Sequence, residues 1–149
     1  MYFESDDFEK VHKKLHFWIW MYRIHIFGMV ISAIALLSLL SHLTEHPARV
    51  MAWPGIGVTT AGIFVAALAA AFYYHHGAWG ALETQEMSGE EVDTFVASLQ
   101  VDNEYVTCLV RFGRVFTGLG LLLLGWSIVK WAFLPELIGV VAAILGFAA

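Results

Sequence analysis

The sequence has one cysteine, three prolines and, over most of its length, little charge. A lone Cys108 excludes an internal disulfide and any multi-cysteine metal or iron–sulfur site. Eight Lys and Arg against thirteen Asp and Glu give a net charge of −5. The basic footprint that nucleic acid requires is therefore missing. Only 14% of residues are charged and 59% are hydrophobic, with a mean hydropathy of +0.69. A soluble domain carries roughly a quarter charged residues and about half apolar ones.

What the chain has instead is long apolar runs. Several approach or exceed about 18 residues with few or no charges, the mark of membrane-spanning helices. The 149 residues leave room for a single helical membrane domain, 1–149, and no separate soluble one. The N-terminal MYFESDDFEK is acidic and the first apolar run is too long for a signal-peptide core, so no cleaved leader is expected.

The expected architecture is an all-α integral membrane protein with four transmembrane helices, at about 17–40, 54–74, 110–130 and 134–149. Ahead of the first, Ser5 or Asp6 caps an amphipathic lead-in with Glu9 in its first turn. No Gly or Pro intervenes before Gly28, so this lead-in is expected to run unbroken into the first span. Trp18, Trp20 and Tyr22 form an interfacial belt. Gly28, Ser32 and Ala35 form a small-residue stripe, with His25 near the same side, that lets another helix approach closely. Residues 41–53 are a short loop broken by Pro47. Pro54 suits the first turn of the second span, where Gly62, Ala66 and Ala70 repeat every four residues. The third span is rich in glycine. The fourth has about 16 residues, roughly 24 Å, which is short for about 30 Å of hydrocarbon. Gly139, Ala143 and Gly146 line one side of it.

Residues 77–104 read as an acidic cytoplasmic loop, without Lys or Arg. Within it a short amphipathic helix is expected at about 89–100. Ser88 and Glu91 fit a capping box. Val92, Phe95, Val96 and Leu99 recur at i, i+3, i+4 and i+7 and form one apolar face, expected to pack on the bundle or the membrane surface, with a partner-binding ridge as the alternative. Lys10, Lys13, Lys14, Arg111 and Arg114 lie on the loop's side, against Arg49 and Lys130 on the other. The positive-inside rule then puts both termini in the cytoplasm, as for a multi-pass protein of a bacterial inner membrane.

The seven histidines, with Arg23, Arg111 and Arg114, are the groups able to carry chemistry. His12 and His16, and His42 and His46, are four apart, which on a helix puts two imidazoles on one face. Interfacial, half-buried histidines explain the same spacing. A bis-imidazole haem b site needs one His from each of two facing helices at equal depth. His16 or His25 against His75 or His76 meets that need. Arg23, Arg111 and Arg114 lie near the cytoplasmic interface, where arginine snorkels, pairs with lipid phosphate or bridges to Asp102, Glu104 or a partner subunit. Glu136 in the first turn of the last helix is explained by the helix dipole. Cys108 has no recognisable His–Asp partner for nucleophilic catalysis. No span carries Asp or Glu deep in the bilayer, which counts against an ion-coupled transporter.

Residues 111–125, RFGRVFTGLGLLLLG, and the following LPELIGVVAAILGF resemble small two-helix bacterial inner-membrane domains that place Arg-x-x-Arg before a Gly-Leu-rich hairpin. The Cys-Pro pair that ends those domains is missing here, and the resemblance implies no function.

The expected function is a non-catalytic accessory subunit of a larger membrane complex, packing through its small-residue faces against other subunits or further copies of itself. Two alternatives stand beside it: a haem b- or quinone-binding membrane anchor of an oxidoreductase, and a small oligomeric transporter.

Overall fold

The computed structural model describes residues 5–149, with side chains from Asp7 onward. The expected caps, Ser5 and Asp6, lie outside the described side chains. The described residues are helical nearly throughout: α1 (Ser5–Lys13), α2 (Leu15–His42), α3 (Arg49–Glu83), α4 (Gly89–Ser98), α5 (Gln100–Trp131) and α6 (Glu136–Ala148). Three of them, α2, α3 and α5, are long and apolar enough to cross a membrane. At 1.5 Å per residue they measure roughly 42, 52 and 48 Å, each more than the ~30 Å of hydrocarbon. The expected fourth span is α6, with 13 residues or about 20 Å of helix.

Two boundaries differ from expectation. A turn at Lys14 separates α1 from α2, so the lead-in does not run unbroken into the first apolar helix. Residues 77–104 are not a loop. Helix α3 continues through His75 and His76 to Glu83, a single 3-10 turn covers Thr84–Glu86, and α5 begins at Gln100. The segment GAWGALE lacks proline, and Ala, Leu and Glu, good helix formers, fill four of its seven positions. The change from apolar to acidic composition therefore marks where the helix leaves its apolar zone, not where it ends. The same extension at the front starts α3 at Arg49 and puts Pro54 inside it. There the missing N–H costs the helix one i→i−4 bond.

The chain divides into two compact units. One comprises the described residues up to Gly28 together with Ala67–Val110, the other Met29–Ala66 with Arg111–Ala149. Helices α2, α3 and α5 contribute to both.

In the first unit, the apolar face of α4 closes on α1 and the end of α3. Phe8, Val11, Ala81 and Leu99 are buried, with Trp18, Tyr73, Phe95 and Val96 packed around them. The face expected from Val92, Phe95, Val96 and Leu99 is thus turned inward. Phe8 is 1% exposed and its ring lies over Gly80, where an added methyl would come within 2.7 Å of ring carbon Cζ. The Phe8 and Phe95 rings are 5.9 Å apart, and Trp79 meets Phe95 edge-on at 5.3 Å. The capping box forms: the Glu91 carboxylate accepts from both the Ser88 backbone N–H and its hydroxyl at 2.7 Å.

In the second unit, α3 meets α5 through residues without bulk. A methyl on Gly62 would lie 2.5 Å from the Thr117 nitrogen and 2.8 Å from the Gly113 carbonyl oxygen. One on Gly55 would lie 2.8 Å from the Leu124 nitrogen. The seam is Gly55, Thr59, Gly62 and Ala66 against Leu124, Gly120, Thr117 and Gly113, antiparallel, with steps of four, three and four on each helix. Continued by one step of three to the buried Ala52 on α3 and the buried Ser127 on α5, the series averages 3.5, the coiled-coil period. It corrects the expected period of four, since Ala69 is buried and Ala70 only partly so. Polar side chains along the seam turn to backbone carbonyls. Thr59 donates to Gly55 at 2.7 Å and Ser127 donates to Ala48 at 3.2 Å.

A second set on α5 faces α6. A methyl on Gly118 would lie 2.7 Å from the Gly146 carbonyl oxygen, and one on Gly125 would lie 2.6 Å from that of Gly139. Gly139, Ala143 and Gly146 therefore pack as their spacing foretells. At 100° per residue the two α5 faces lie roughly 130° apart, so one helix joins two neighbours. The turn into α6 passes through Ala132, whose φ of 49° is left-handed.

Candidate functional site

Helix α2 differs from its neighbours. Of its most apolar stretch 6% is buried, against 33% for α3 and 39% for α5. Ala33 is its one buried residue. Contact is made at the two ends by large side chains. Trp18 donates from Nε1 to the Tyr74 carbonyl at 3.4 Å, and Tyr22 packs on the Tyr74 ring at 5.1 Å. In the second unit Leu36, Leu39, Leu40 and Leu43 pack beside Ala48, Ala52 and Ile56.

The stripe Gly28–Ser32–Ala35 was expected to pack against another helix of the bundle. It is exposed, and a methyl built on Gly28 meets nothing within 4 Å. Trp18, Tyr22, Met29, Ala33, Leu36 and Leu40 define the face that packs, and the small stripe lies roughly 90° around the helix from it at 100° per residue. Aromatic and leucine side chains reach a neighbour and bury more area than glycine does, so they set the orientation. Large apolar side chains flank the open stripe: Ile24, Phe27, Ile31 and Ile34 are all exposed.

The histidines separate into different settings. His16 accepts from the Trp20 indole at 3.2 Å. His25 is exposed and meets the Tyr74 ring edge-on at 6.3 Å. His75 is exposed and stacks on Trp79, with ring centroids 6.2 Å apart and planes 5° apart. His76 is buried at 8% exposure, with Nε2 3.9 Å from an Asp102 carboxylate oxygen. Its Nδ1 has no hydrogen-bond partner among the described residues. The structure thus brings His75 to His76, ring centroids 6.0 Å apart, while the described ring contacts of His16 and His25 are to Trp20 and Tyr74. Among the four-apart pairs, His12 Nε2 lies 2.7 Å from Gln85 Nε2, and His46 Nδ1 accepts from the Ala48 N–H at 3.1 Å. His42 is exposed. Among the described residues no group of three or more His, Cys, Asp or Glu is arranged to hold a metal ion.

A family model for a domain of unknown function, DUF4386, matches residues 6–149, nearly the whole chain. The chain belongs to the DUF4386 family. No curated protein and no solved structure matches it.

In this DUF4386 chain Arg23, Arg111 and Arg114 stand apart from carboxylates among the described residues. Arg23 lies over Trp20, 5.5 Å from the ring centroid, on the flank of α2 away from the open stripe. Arg111 and Arg114 are exposed. The bridges expected to Asp102 or Glu104 do not form among the described residues. Asp102 faces His76 instead. An open cavity of about 600 Å³ in the first unit has an apolar floor of Phe8, Ala81 and Val92 and a polar rim including His12, Gln85 and Asp93. Glu9 on its edge is engaged by Lys13, whose hydrogen bond and charge hold the Glu9 carboxyl below its ordinary pKa.

Sequence reasoning missed the pairing of His76 with Asp102, the role of Tyr74 as the anchor of α2, and the Ser127–Ala48 hydrogen bond. Reading 3.5-residue periodicity across residues 113–127 would have found Ser127, which follows Gly113, Thr117, Gly120 and Leu124 in the same series. The other two depend on contacts more than 20 residues apart and carry no local signal.

Proposed function

We propose that this DUF4386 protein is a membrane-embedded, non-catalytic assembly subunit whose α2 docks a helix from another polypeptide. The observation that carries the reading is the open Gly28–Ser32–Ala35 stripe. In the second unit the seams of Gly55 and Gly62 against Gly113 and Gly120, and of Gly118 and Gly125 against Gly139 and Gly146, are occupied, and glycine there admits a neighbouring backbone. In lipid, association depends on close van der Waals packing rather than on hydrophobic burial, and small residues are where helices approach. A glycine facing lipid forfeits dispersion contacts, whereas one facing another helix creates room for it.

The proposed topology follows the basic residues. Helices α2, α3 and α5 cross, and α6 returns beside α5 as a short fourth segment. Lys10, Lys13, Lys14, Arg111 and Arg114 lie on the cytoplasmic side, with Arg49 and Lys130 opposite. Such a bias sets orientation, and the acidic residues of 83–104 have little weight in it.

Substitution Gly28→Leu tests the assembly role. Gly28 is exposed and a Cβ built on it meets no neighbouring element within 4 Å among the described residues, so thermal unfolding in mild detergent should be unchanged. Native gels of the same extracts should show the larger assembly lost. Assembly surviving intact, or wild-type protein migrating as a lone monomer, would refute the reading.

A further inference from the structure

The face of α5 that α6 covers does not end at Gly118. Arg111, Arg114 and Gly118 stand at i, i+3 and i+7, which is one side of a helix. The two turns before Gly118 on this face are therefore marked by guanidinium groups. Both arginines are exposed, and neither has a carboxylate within ion-pairing distance among the described residues. Their neighbours Phe112, Val115 and Phe116 are exposed apolar side chains.

Depth along α5 can be counted from its charges. Between Arg114 and Lys130 the helix carries no charged residue. Sixteen residues separate these two, about 24 Å, and nineteen separate Arg111 from Lys130, about 28 Å. That nearly equals the hydrocarbon thickness of about 30 Å. Lys130, over the Trp131 ring at 4.5 Å, marks one boundary, and the arginine pair marks the other. At that level an uncompensated guanidinium meets lipid phosphate. Its planar fork matches phosphate oxygens in bidentate geometry.

We infer that Arg111 and Arg114 form a binding site for the phosphate headgroup of an anionic lipid, whose acyl chains run into the hydrocarbon beside α5. The inference rests on the membrane placement of α5 and not on assembly through α2, so the two readings fail in separate experiments.

Full-length protein in mild detergent, mixed with equal phosphatidylglycerol and phosphatidylcholine, should retain the anionic lipid preferentially in native mass spectrometry. Juxtamembrane cations contribute roughly 5-fold each, so the pair predicts a preference on the order of 25-fold. R111Q/R114Q should abolish it and R111K/R114K should keep most of it. Lys130→Gln should leave it unchanged. An excess of inorganic phosphate should not displace the lipid, because the acyl chain contributes to binding. Equal retention of the two lipids, indifference to R111Q/R114Q, an equal loss in Lys130→Gln, or displacement by phosphate alone would each overturn the site.

Discussion

Gly62 and Gly57 are five residues apart on one helix, yet they have opposite constraints. A methyl on Gly62 runs into the backbone of α5 at Thr117 and Gly113, whereas one on Gly57 meets nothing within 4 Å. Backbone atoms cannot rotate aside, so the strain at Gly62 must be relieved by parting the helices. Gly62→Ala should cost about 1–3 kcal/mol, the usual penalty for overpacking. Gly57→Ala should be neutral or stabilising by up to about 1 kcal/mol, the ordinary helix preference for alanine over glycine. Denaturant titration of both variants in the same micelles checks the contrast, and equal effects would mean the seam is not a tight contact. Glycine identity alone does not distinguish these positions in the sequence. Their place in the 3.5-residue series does, because Gly55, Gly62, Gly113 and Gly120 fit it and Gly57 does not.

Helix α4 was legible from sequence because its signals are local. A capping box, a four-position apolar face and polar residues elsewhere all lie within twelve residues of one another. The cap also gives the helix a pH dependence. Hydrogen bonds from the Ser88 backbone N–H, then from its hydroxyl, hold the Glu91 carboxyl below its ordinary pKa. A depressed folded-state pKa means that the stabilisation is fully present above the unfolded value. It is lost as pH falls through the folded value. Amide exchange in the first turn of α4 should therefore accelerate below about pH 4.3, the free glutamate value, and should be pH-independent in Glu91→Gln beyond the intrinsic exchange rate. The boundaries of α3 and α5 were not legible for a complementary reason. Hydropathy reports where a helix is apolar, and both helices continue for two turns or more after that property stops. The same limit applies to α2. Its small stripe is evident in the sequence, but which flank packs is decided by Trp18, Tyr22 and Tyr74, the last from a different helix.

At the scale of the whole molecule, charge and hydropathy place the chain, and residue chemistry does not. Apolar runs, sparse charge and clustered Lys and Arg are what the proposed topology rests on. The histidine settings require the fold, because what separates His76 from His75 is burial against α5 rather than any feature of the HH pair. The topology can be tested with a reporter that the chain already has. Cys108 is its sole cysteine and is exposed. It precedes Arg111 by three residues, about 4.5 Å along α5 toward the proposed cytoplasmic side. A membrane-impermeant maleimide should therefore leave Cys108 unlabelled in intact cells and label it in inside-out vesicles. Glu45 lies exposed in the turn between α2 and α3, which the same topology puts outside. Glu45→Cys in a Cys108→Ser background should react in intact cells. The reverse pattern would invert the orientation. Labelling of both positions from one side would mean that α2 and α3 do not bring the chain across twice, because Glu45 and Cys108 are separated by a single crossing of α3 in this topology.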